Sequence, residues 1–123
     1  MQAEEGDEHY LIELEGEPIG MVQSYEERDD MYRHAGIDIA LREPWQGKGL
    51  GPEAIRTLAR YLIDEAGHHR LVIDPAAHNL NAIKAYERVG FKPVGLMRKY
   101  ERGPDGEWHD GLLMDMLAEE LRD

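Results

Sequence analysis

A glycine-rich segment near the middle of the chain, Trp45 to Gly51, has the residue types and the spacing to bind a phosphate group. It carries three glycines in five residues and is followed directly by Pro52 and a helical pattern. Glycines let successive backbone N–H groups point into one concavity, and a following helix adds free N–H groups and the positive end of its dipole. The segment therefore predicts a loop that holds a phosphate or pyrophosphate.

Three known phosphate-binding patterns can be compared with this loop. A P-loop requires Gly-x-x-x-x-Gly-Lys-Ser/Thr, but no glycine stands five residues before Gly47, and Gly49 replaces the hydroxyl residue. The dinucleotide-binding pattern Gly-x-Gly-x-x-Gly fails because Gly51 has the wrong final spacing. The pattern that fits is Gln-x-x-Gly-x-Gly, formed by Gln46, Gly49 and Gly51.

The segments around the loop alternate between strand and helix patterns. Period-two patterns and turn residues predict strands at Tyr10–Leu14, Ile19–Tyr25, Gly36–Leu41, Arg70–Asp74, Phe91–Tyr100 and Trp108–Leu117. Helices are predicted from Pro52 to about Ala66 and from Leu80 to Val89, with Asn79 as the N-cap of the second. The order β-β-β-loop-α-β-α-β-β predicts an α/β (α+β) fold, a mixed sheet with helices on its faces.

Composition limits the class of protein. The 123 residues fit a single domain, residues 1–123, in which residues 1–8 are expected to form a loose tail. The chain has no cysteine, which excludes a disulfide framework and a thiol nucleophile, and its six histidines lack metal-site spacing, so no metal is expected. Because no apolar segment is long enough to span a membrane and no secretory leader is recognisable, we expect a cytoplasmic protein.

The net charge of −12 is unevenly distributed. Residues 1–43 hold 13 Asp/Glu and 3 Arg, a balance of −10, whereas residues 44–123 hold 13 Asp/Glu and 11 Lys/Arg, a balance of −2. The negative net charge argues against a nucleic-acid partner, because a nucleic acid is itself a polyanion. An acidic front half can attract a cationic small molecule, although solubility alone would explain the charge equally well.

Together with residues downstream, the loop resembles the acetyl-CoA pyrophosphate loop of the GNAT family of N-acetyltransferases. The second half of the family pattern is matched, in order and at the right spacing, by Asp74-Pro75, Asn79, Ala82-Ile83, Tyr86-Glu87 and Gly90-Phe91. The span from Pro18 to Leu117 is further similar to the aminoglycoside 6'-N-acetyltransferase branch. Its matching residues are Pro18-Ile19-Gly20, Gln23-Ser24-Tyr25, Gly36-Ile37-Asp38, the glycine loop and Asp74-Pro75 through Asn79-Leu80.

The resemblance implies acetyl-CoA as the co-substrate and assigns residues to it. Those expected to contact the donor are Ile39, Ala40, Leu41, Gln46, Gly47, Lys48, Gly49, Leu50, Gly51, Asn79, Ala82 and Tyr86. Backbone N–H groups of Gly47 to Gly51 would hold the pyrophosphate, and Asn79 would contact the pantetheine arm while capping its helix. Tyr86 would protonate the departing thiolate, since a phenol with a pKa of about 10 is a plausible acid for a thiol of about 8.5. Tyr86 as a plain core aromatic is the alternative.

The resemblance also implies an acceptor site. The aspartate that matches Asp38 is the base or the amine-orienting group in the aminoglycoside branch, and the one that matches Asp74 binds the drug. Tyr25 with Glu26 and Glu27, at the start of an acidic loop that runs to His34, would receive the cationic acceptor. The structural alternatives are a solvated strand residue for Asp38, a turn residue for Asp74 and an ordinary solvated loop.

The family normally has a further strand and one or two helices before the first hairpin, and they form one wall of the acceptor pocket. Here nine residues precede Tyr10. The chain could be a minimal form, a truncated one, or one completed by a partner subunit, so a homodimer is expected.

The resulting hypothesis is direct transfer of an acetyl group, in a ternary complex, from acetyl-CoA to a primary amine of a cationic small molecule. The favoured acceptor is the 6'-amino group of an aminoglycoside. The alternatives are a protein N-terminus, a siderophore hydroxylysine, or a non-catalytic acyl-CoA-binding module.

Overall fold

The computed structural model describes residues 7–122, and within them the elements follow the predicted order. The strands are β1 (Asp7–Leu14), β2 (Glu17–Glu27), β3 (His34–Leu41), β4 (Arg70–Ile73), β5 (Lys92–Arg102) and β6 (Trp108–Leu117). The helices are α1 (Leu50–Asp64) and α2 (Leu80–Val89), and short 3₁₀ turns occupy Glu43–Trp45 and Ala118–Glu120. None of the helices in this part of the chain is long and apolar enough to cross a bilayer.

The strands form one mixed sheet in the order β1-β2-β3-β4-β6-β5. β3 and β4 are parallel, as expected for two strands joined through a helix, and the other neighbours are antiparallel. The last strand, β6, lies between β4 and β5, an arrangement that the order of elements along the chain does not specify. The predicted mixed sheet is confirmed.

One face of the sheet carries the core. Its residues alternate along the strands and include Val22, Ala35, Ile37, Leu71, Ile73, Met114 and Met116. Helix α1 covers them with Ile55, Leu58, Ala59 and Leu62, whose spacing of three, four and seven residues places them on one side of a helix. Helix α2 adds Val89 to the same cluster and contacts α1. Both helices therefore pack on the same face of the sheet.

The opposite face, called the open face below, is not covered by either helix. Leu11 on β1 lies directly opposite Met21 on β2, and their side chains are 61% and 44% exposed. Tyr25 and Asp38 follow on the same face. An apolar surface on this face agrees with the expectation that further elements could pack there.

Helix α1 begins at Leu50 and ends at Asp64, two residues before each predicted boundary, whereas α2 begins after Asn79 as predicted. Gly49 precedes α1 in the left-handed conformation, with φ of 79°, and Pro52 falls in the first turn. Asn79 caps α2, since its Oδ1 accepts the backbone N–H of Ala82 at 3.2 Å. The predicted span of α2 is confirmed at both ends.

Several predicted boundaries were wrong. The acidic loop does not run from Glu26 to His34, because Glu27 pairs with His34 and extends both strands, so the loop covers residues 28–33. The loose tail predicted at residues 1–8 is wrong at Asp7 and Glu8, which belong to β1 and pair with Tyr25 and Ser24 of β2. Residues 1–6 lie outside the described part of the chain.

Candidate functional site

The site is organised around a gap between the two parallel strands. β3 and β4 pair where Ala35 faces Leu71 and Gly36 faces Val72, and beyond these pairs the strands separate. Asp38 and Asp74 each lie two residues past the pair of Gly36 and Val72. Because side chains alternate with a period of two, both carboxylates are placed on the open face, on either side of the gap. Ligands in such sheets bind at the carboxyl ends of the strands, where this gap opens.

Asp38 is the carboxylate on the β3 side of the gap. Its side chain reaches solvent, yet protein atoms remove part of its hydration and raise its pKa above the ordinary 3.8. The backbone N–H of Ile39 donates to Asp38 Oδ1 at 3.0 Å and opposes the rise, while the negative charge of Asp74 adds to it. Asp38 is therefore a stronger base than a free carboxylate.

The edge of β3 that faces the gap also carries backbone donors. The Arg42 N–H donates to the Ile19 carbonyl on β2 at 2.8 Å. Because N–H groups alternate between the two edges of an antiparallel strand, those of Ile39 and Leu41 point away from β2 and toward the gap. The N–H of Leu41 can donate to a carbonyl oxygen that enters the gap, as the resemblance implies for a thioester, whereas the N–H of Ile39 already donates to Asp38 Oδ1.

Tyr86 projects from α2 to the same gap. Burial, with a smaller contribution from the negative charges of Asp38 and Asp74, raises its pKa from 10 to about 12. The expectation that this phenol stays near its usual pKa was wrong, because sequence alone gave no measure of its burial. Tyr86 remains protonated at neutral pH and can donate a hydrogen bond to an anion.

Asp74 has a partner that the sequence did not reveal. The Tyr100 hydroxyl on β5 donates to Asp74 Oδ2 at 2.6 Å. Tyr25 lies on the other side, with its ring against Gly36. A Cβ at Gly36 would come within 1.9 Å of Tyr25 Cζ, so only glycine permits this placement. The predicted residues Tyr25, Asp38, Asp74 and Tyr86 are thus brought together, and Tyr100 joins them.

The two acidic residues predicted to receive the acceptor do not lie together. Alternation along β2 places Glu26 on the helix-covered face with Val22, opposite to Asp38. There its Oε1 is 3.4 Å from Nε2 of the buried His68. Glu27 lies on the open face, and its Oε1 accepts the N–H of Asp29 at 3.2 Å. The structure therefore separates Glu26 from the two aspartates.

The glycine loop leads into the N-terminus of α1. Gly47 and Gly49 have φ of 75° and 79°, and a Cβ built on either meets no heavy atom within 4 Å beyond the adjacent residues. Gln46 is anchored, since its Nε2 donates to the Leu41 carbonyl at 2.9 Å. Among the described residues, no side chain caps α1. Open space beside left-handed glycines and uncapped N–H groups suit a diphosphate, so these residues fit the pyrophosphate of a CoA molecule.

The described residues offer no comparable place for a metal ion. Across positions 7–122, no group of three or more histidine, aspartate or glutamate side chains is arranged to hold one. His109 instead pairs with Asp105, with its Nε2 at 2.9 Å from Oδ2. This pair raises the pKa of His109 and lowers that of Asp105, mainly through their mutual hydrogen bond.

Comparison with known proteins identifies the family. A family model described as the acetyltransferase (GNAT) family matches residues 1–91. The chain belongs to the GNAT family. Its glycine loop, Asn79 and Tyr86 all lie inside the matched region, which agrees with the resemblance drawn from their spacing.

Among curated relatives, an aminoglycoside N(6')-acetyltransferase type 1 from Klebsiella pneumoniae is 37% identical over 116 residues. The match covers 85% of this chain and 55% of the relative. The chain therefore spans about half the length of this relative.

Solved structures share the fold of this GNAT chain. A probable acetyltransferase superposes with a TM-score of 0.85 at 26% identity, covering 94% of this chain and 64% of that structure. A chimera of spermidine N-acetyltransferase SpeG from Vibrio cholerae gives a TM-score of 0.82 at 23% identity, covering 94% and 69%. The GNAT-like fold class is thus confirmed.

Proposed function

We propose that this GNAT chain transfers an acetyl group from acetyl-CoA to a primary amine of a cationic small molecule, most readily the 6'-amino group of an aminoglycoside. The observation that carries the proposal is the meeting of Asp38, Asp74 and Tyr86 at the gap between β3 and β4. The glycine loop that fits a pyrophosphate follows the same strand β3, so donor and acceptor sites adjoin.

The donor would be held mainly by backbone. N–H groups from Gly47 to Gly51 and the N-terminus of α1 would bind the pyrophosphate, with Lys48 at its side. Asn79 and Ala82 at the start of α2 would line the pantetheine arm, which brings the thioester toward Tyr86. When bound, acetyl-CoA supplies the activated acetyl group. Leu41 would then offer its N–H to the carbonyl oxygen, where negative charge develops.

The acceptor must lose a proton before it can attack. An amine with a pKa near 10 is mostly charged at neutral pH. Asp38 and Asp74 would hold this ammonium between them, and the raised pKa of Asp38 suits it to accept the proton. Holding the nitrogen against the thioester carbonyl supplies the positional part of catalysis. No covalent enzyme intermediate is needed, in keeping with the absence of cysteine.

Tyr86 would act at the departing sulfur. With a pKa of about 12 it is a weak acid toward a thiol of about 8.5, so it stabilises the thiolate first as a hydrogen-bond donor. A bound ammonium offsets part of the negative charge of Asp38 and Asp74, which contributes to this raised pKa. Acceptor binding therefore makes Tyr86 a better proton donor at the stage when the thiolate forms.

Two observations support an aminoglycoside as the acceptor. Over 85% of its own length, this chain is 37% identical to an enzyme that is named for this activity. Residues 1–43 carry a balance of −10, which attracts a polycation. Because Glu26 lies on the other face of the sheet from Asp38 and Asp74, not every acidic residue in this half of the chain can contact the reacting amine.

An acceptor panel tests the proposal. Wild-type protein is incubated with acetyl-CoA and, separately, kanamycin-class aminoglycosides, a polyamine, an alanine-starting peptide and hydroxylysine, and CoA release and product mass are measured. We expect acetylation at the 6'-amino group and a loss of turnover in Asp38→Asn. Product with another amine alone would reassign the acceptor. CoA binding by calorimetry without any product would identify a non-catalytic acyl-CoA-binding module.

A further inference from the structure

The β5–β6 hairpin carries an irregularity next to the proposed acceptor site. Met97 faces Gly111 and Glu101 faces His109, so the residues at 98–100 lie opposite the single residue Asp110. Lys99 has φ of 48°, a left-handed conformation that costs a non-glycine residue roughly 1–2 kcal/mol. Such bulges redirect side chains and are found beside active sites.

Asp110 holds the bulge in place. Its Oδ1 accepts the backbone N–H of Lys99 at 2.8 Å. Its own carbonyl accepts the N–H of Ala77 at 2.9 Å, in the loop that follows Asp74. Two residues further along β6, Leu112 donates its N–H to the Pro75 carbonyl at 2.9 Å. The bulge is therefore fixed to the backbone that presents Asp74.

The bulge aims Tyr100 at Asp74. The ring of Tyr100 lies on Gly111, where an added Cβ would be 2.9 Å from Tyr100 Cδ2. From this position its hydroxyl reaches Asp74 Oδ2 at 2.6 Å. A carboxylate offers about four acceptor sites on two oxygens, so one hydrogen bond leaves the rest available to an ammonium group.

We propose that Tyr100 is a positioning residue that holds the Asp74 carboxylate in the orientation that binds the acceptor ammonium. The inference rests on the proposed function, and Tyr100 is not among the residues to which that function assigns a role. A hydrogen bond to a charged group changes an equilibrium constant by about tenfold or more. Loss of this bond should therefore weaken acceptor binding and leave the acetyl-CoA site unchanged.

Kinetics on matched variants test the role. Tyr100→Phe removes the hydroxyl and keeps the ring, and Tyr61→Phe is the control, since both tyrosines are 46% exposed and Tyr61 lies on α1. We expect the acceptor KM to rise about tenfold in Tyr100→Phe, with the KM for acetyl-CoA and the melting temperature unchanged. In the Asp74→Asn background the same substitution should have no further effect on the acceptor KM, because Tyr100 acts through Asp74.

A measurement without acceptor separates this inference from the proposed function. In protein labelled with carbon-13 at tyrosine Cζ, the Tyr100 signal is assigned by its loss in Tyr100→Phe, and it should shift in Asp74→Asn. A signal that does not shift, or an acceptor KM that is unchanged in Tyr100→Phe, overturns the inference while wild-type turnover stands. Absence of turnover and amine binding in the wild type overturns the proposed function and the role in acceptor binding, whereas the spectrum still decides whether Tyr100 holds Asp74.

Discussion

Replacement of Tyr86 by phenylalanine is the sharpest test of the chemistry assigned to the gap. At a pKa of about 12, the phenol would transfer its proton to the thiolate of a thiol of about 8.5 at a cost of roughly 5 kcal/mol. Complete transfer is therefore disfavoured, although a bound ammonium lowers this cost by offsetting part of the negative charge of Asp38 and Asp74. Because hydrogen bonding then supplies much of the stabilisation, we expect kcat to fall about 10²-fold, at the lower end of the range for general acids.

The assay follows CoA release at saturating acetyl-CoA and acceptor, with Tyr61→Phe as the control for loss of a surface hydroxyl. An acetyl thioester with a more acidic thiol needs less stabilisation of its leaving group, so Tyr86→Phe should lose less activity with that donor than with acetyl-CoA. The profile of kcat/KM against pH, which reports groups of the free enzyme, should show no alkaline limb from Tyr86 below about pH 11. A kcat within twofold of wild type, or an equal loss with both donors, would refute the role of Tyr86.

Three further substitutions have defined outcomes. Asp38→Asn should abolish most turnover yet raise the free energy of unfolding at pH 7 by less than roughly 1 kcal/mol, because solvent screens the charge of this exposed group. The sign follows from the raised pKa of Asp38: the folded state binds this proton more tightly than the unfolded state, so ionisation destabilises the fold, and the gain should vanish below about pH 3.5, where both states are protonated. Gly49→Ala should raise the KM for acetyl-CoA and cost about 1 kcal/mol of stability, whereas Gly16→Ala, with a similar φ of 82° and open space around its Cβ, should cost the same stability and leave this KM unchanged. Gly36→Ala should displace the Tyr25 ring and raise the acceptor KM more than the KM for acetyl-CoA, as initial rates would show, and an unchanged acceptor KM would exclude Tyr25 from the acceptor site.

Local signals in the sequence were sufficient for the elements whose ends depend on neighbouring residues. Asn79 and Gly90 define α2 because an N-cap and a positive-φ glycine act within one turn of the helix. The parallel, buried character of β4 followed from its apolar composition and its position between two helices. The glycine loop was recognisable because its spacing reflects a backbone conformation.

The features that the sequence did not reveal depend on distant contacts. Tyr100 reaches Asp74 because Asp110 stabilises a bulge by accepting the N–H of Lys99, eleven residues earlier in the chain. No local sequence pattern encodes the contact between Asp110 and Lys99. The raised pKa of Tyr86 reflects burial, which only the packed structure determines. The side of the sheet on which Glu26 lies was also hidden, because it depends on the register of β2 against β3.

The most direct test of the central claim is a crystal structure of the chain with CoA and a 6'-amino aminoglycoside. The account predicts the pyrophosphate on the loop from Gly47 to Gly51 and the sulfur in the gap within hydrogen-bond reach of the Tyr86 hydroxyl. It predicts the reacting nitrogen between Asp38 and Asp74, within about 3.5 Å of the position of the thioester carbon. A CoA molecule bound away from the gap, or an amine seated on the other face of the sheet, would contradict it.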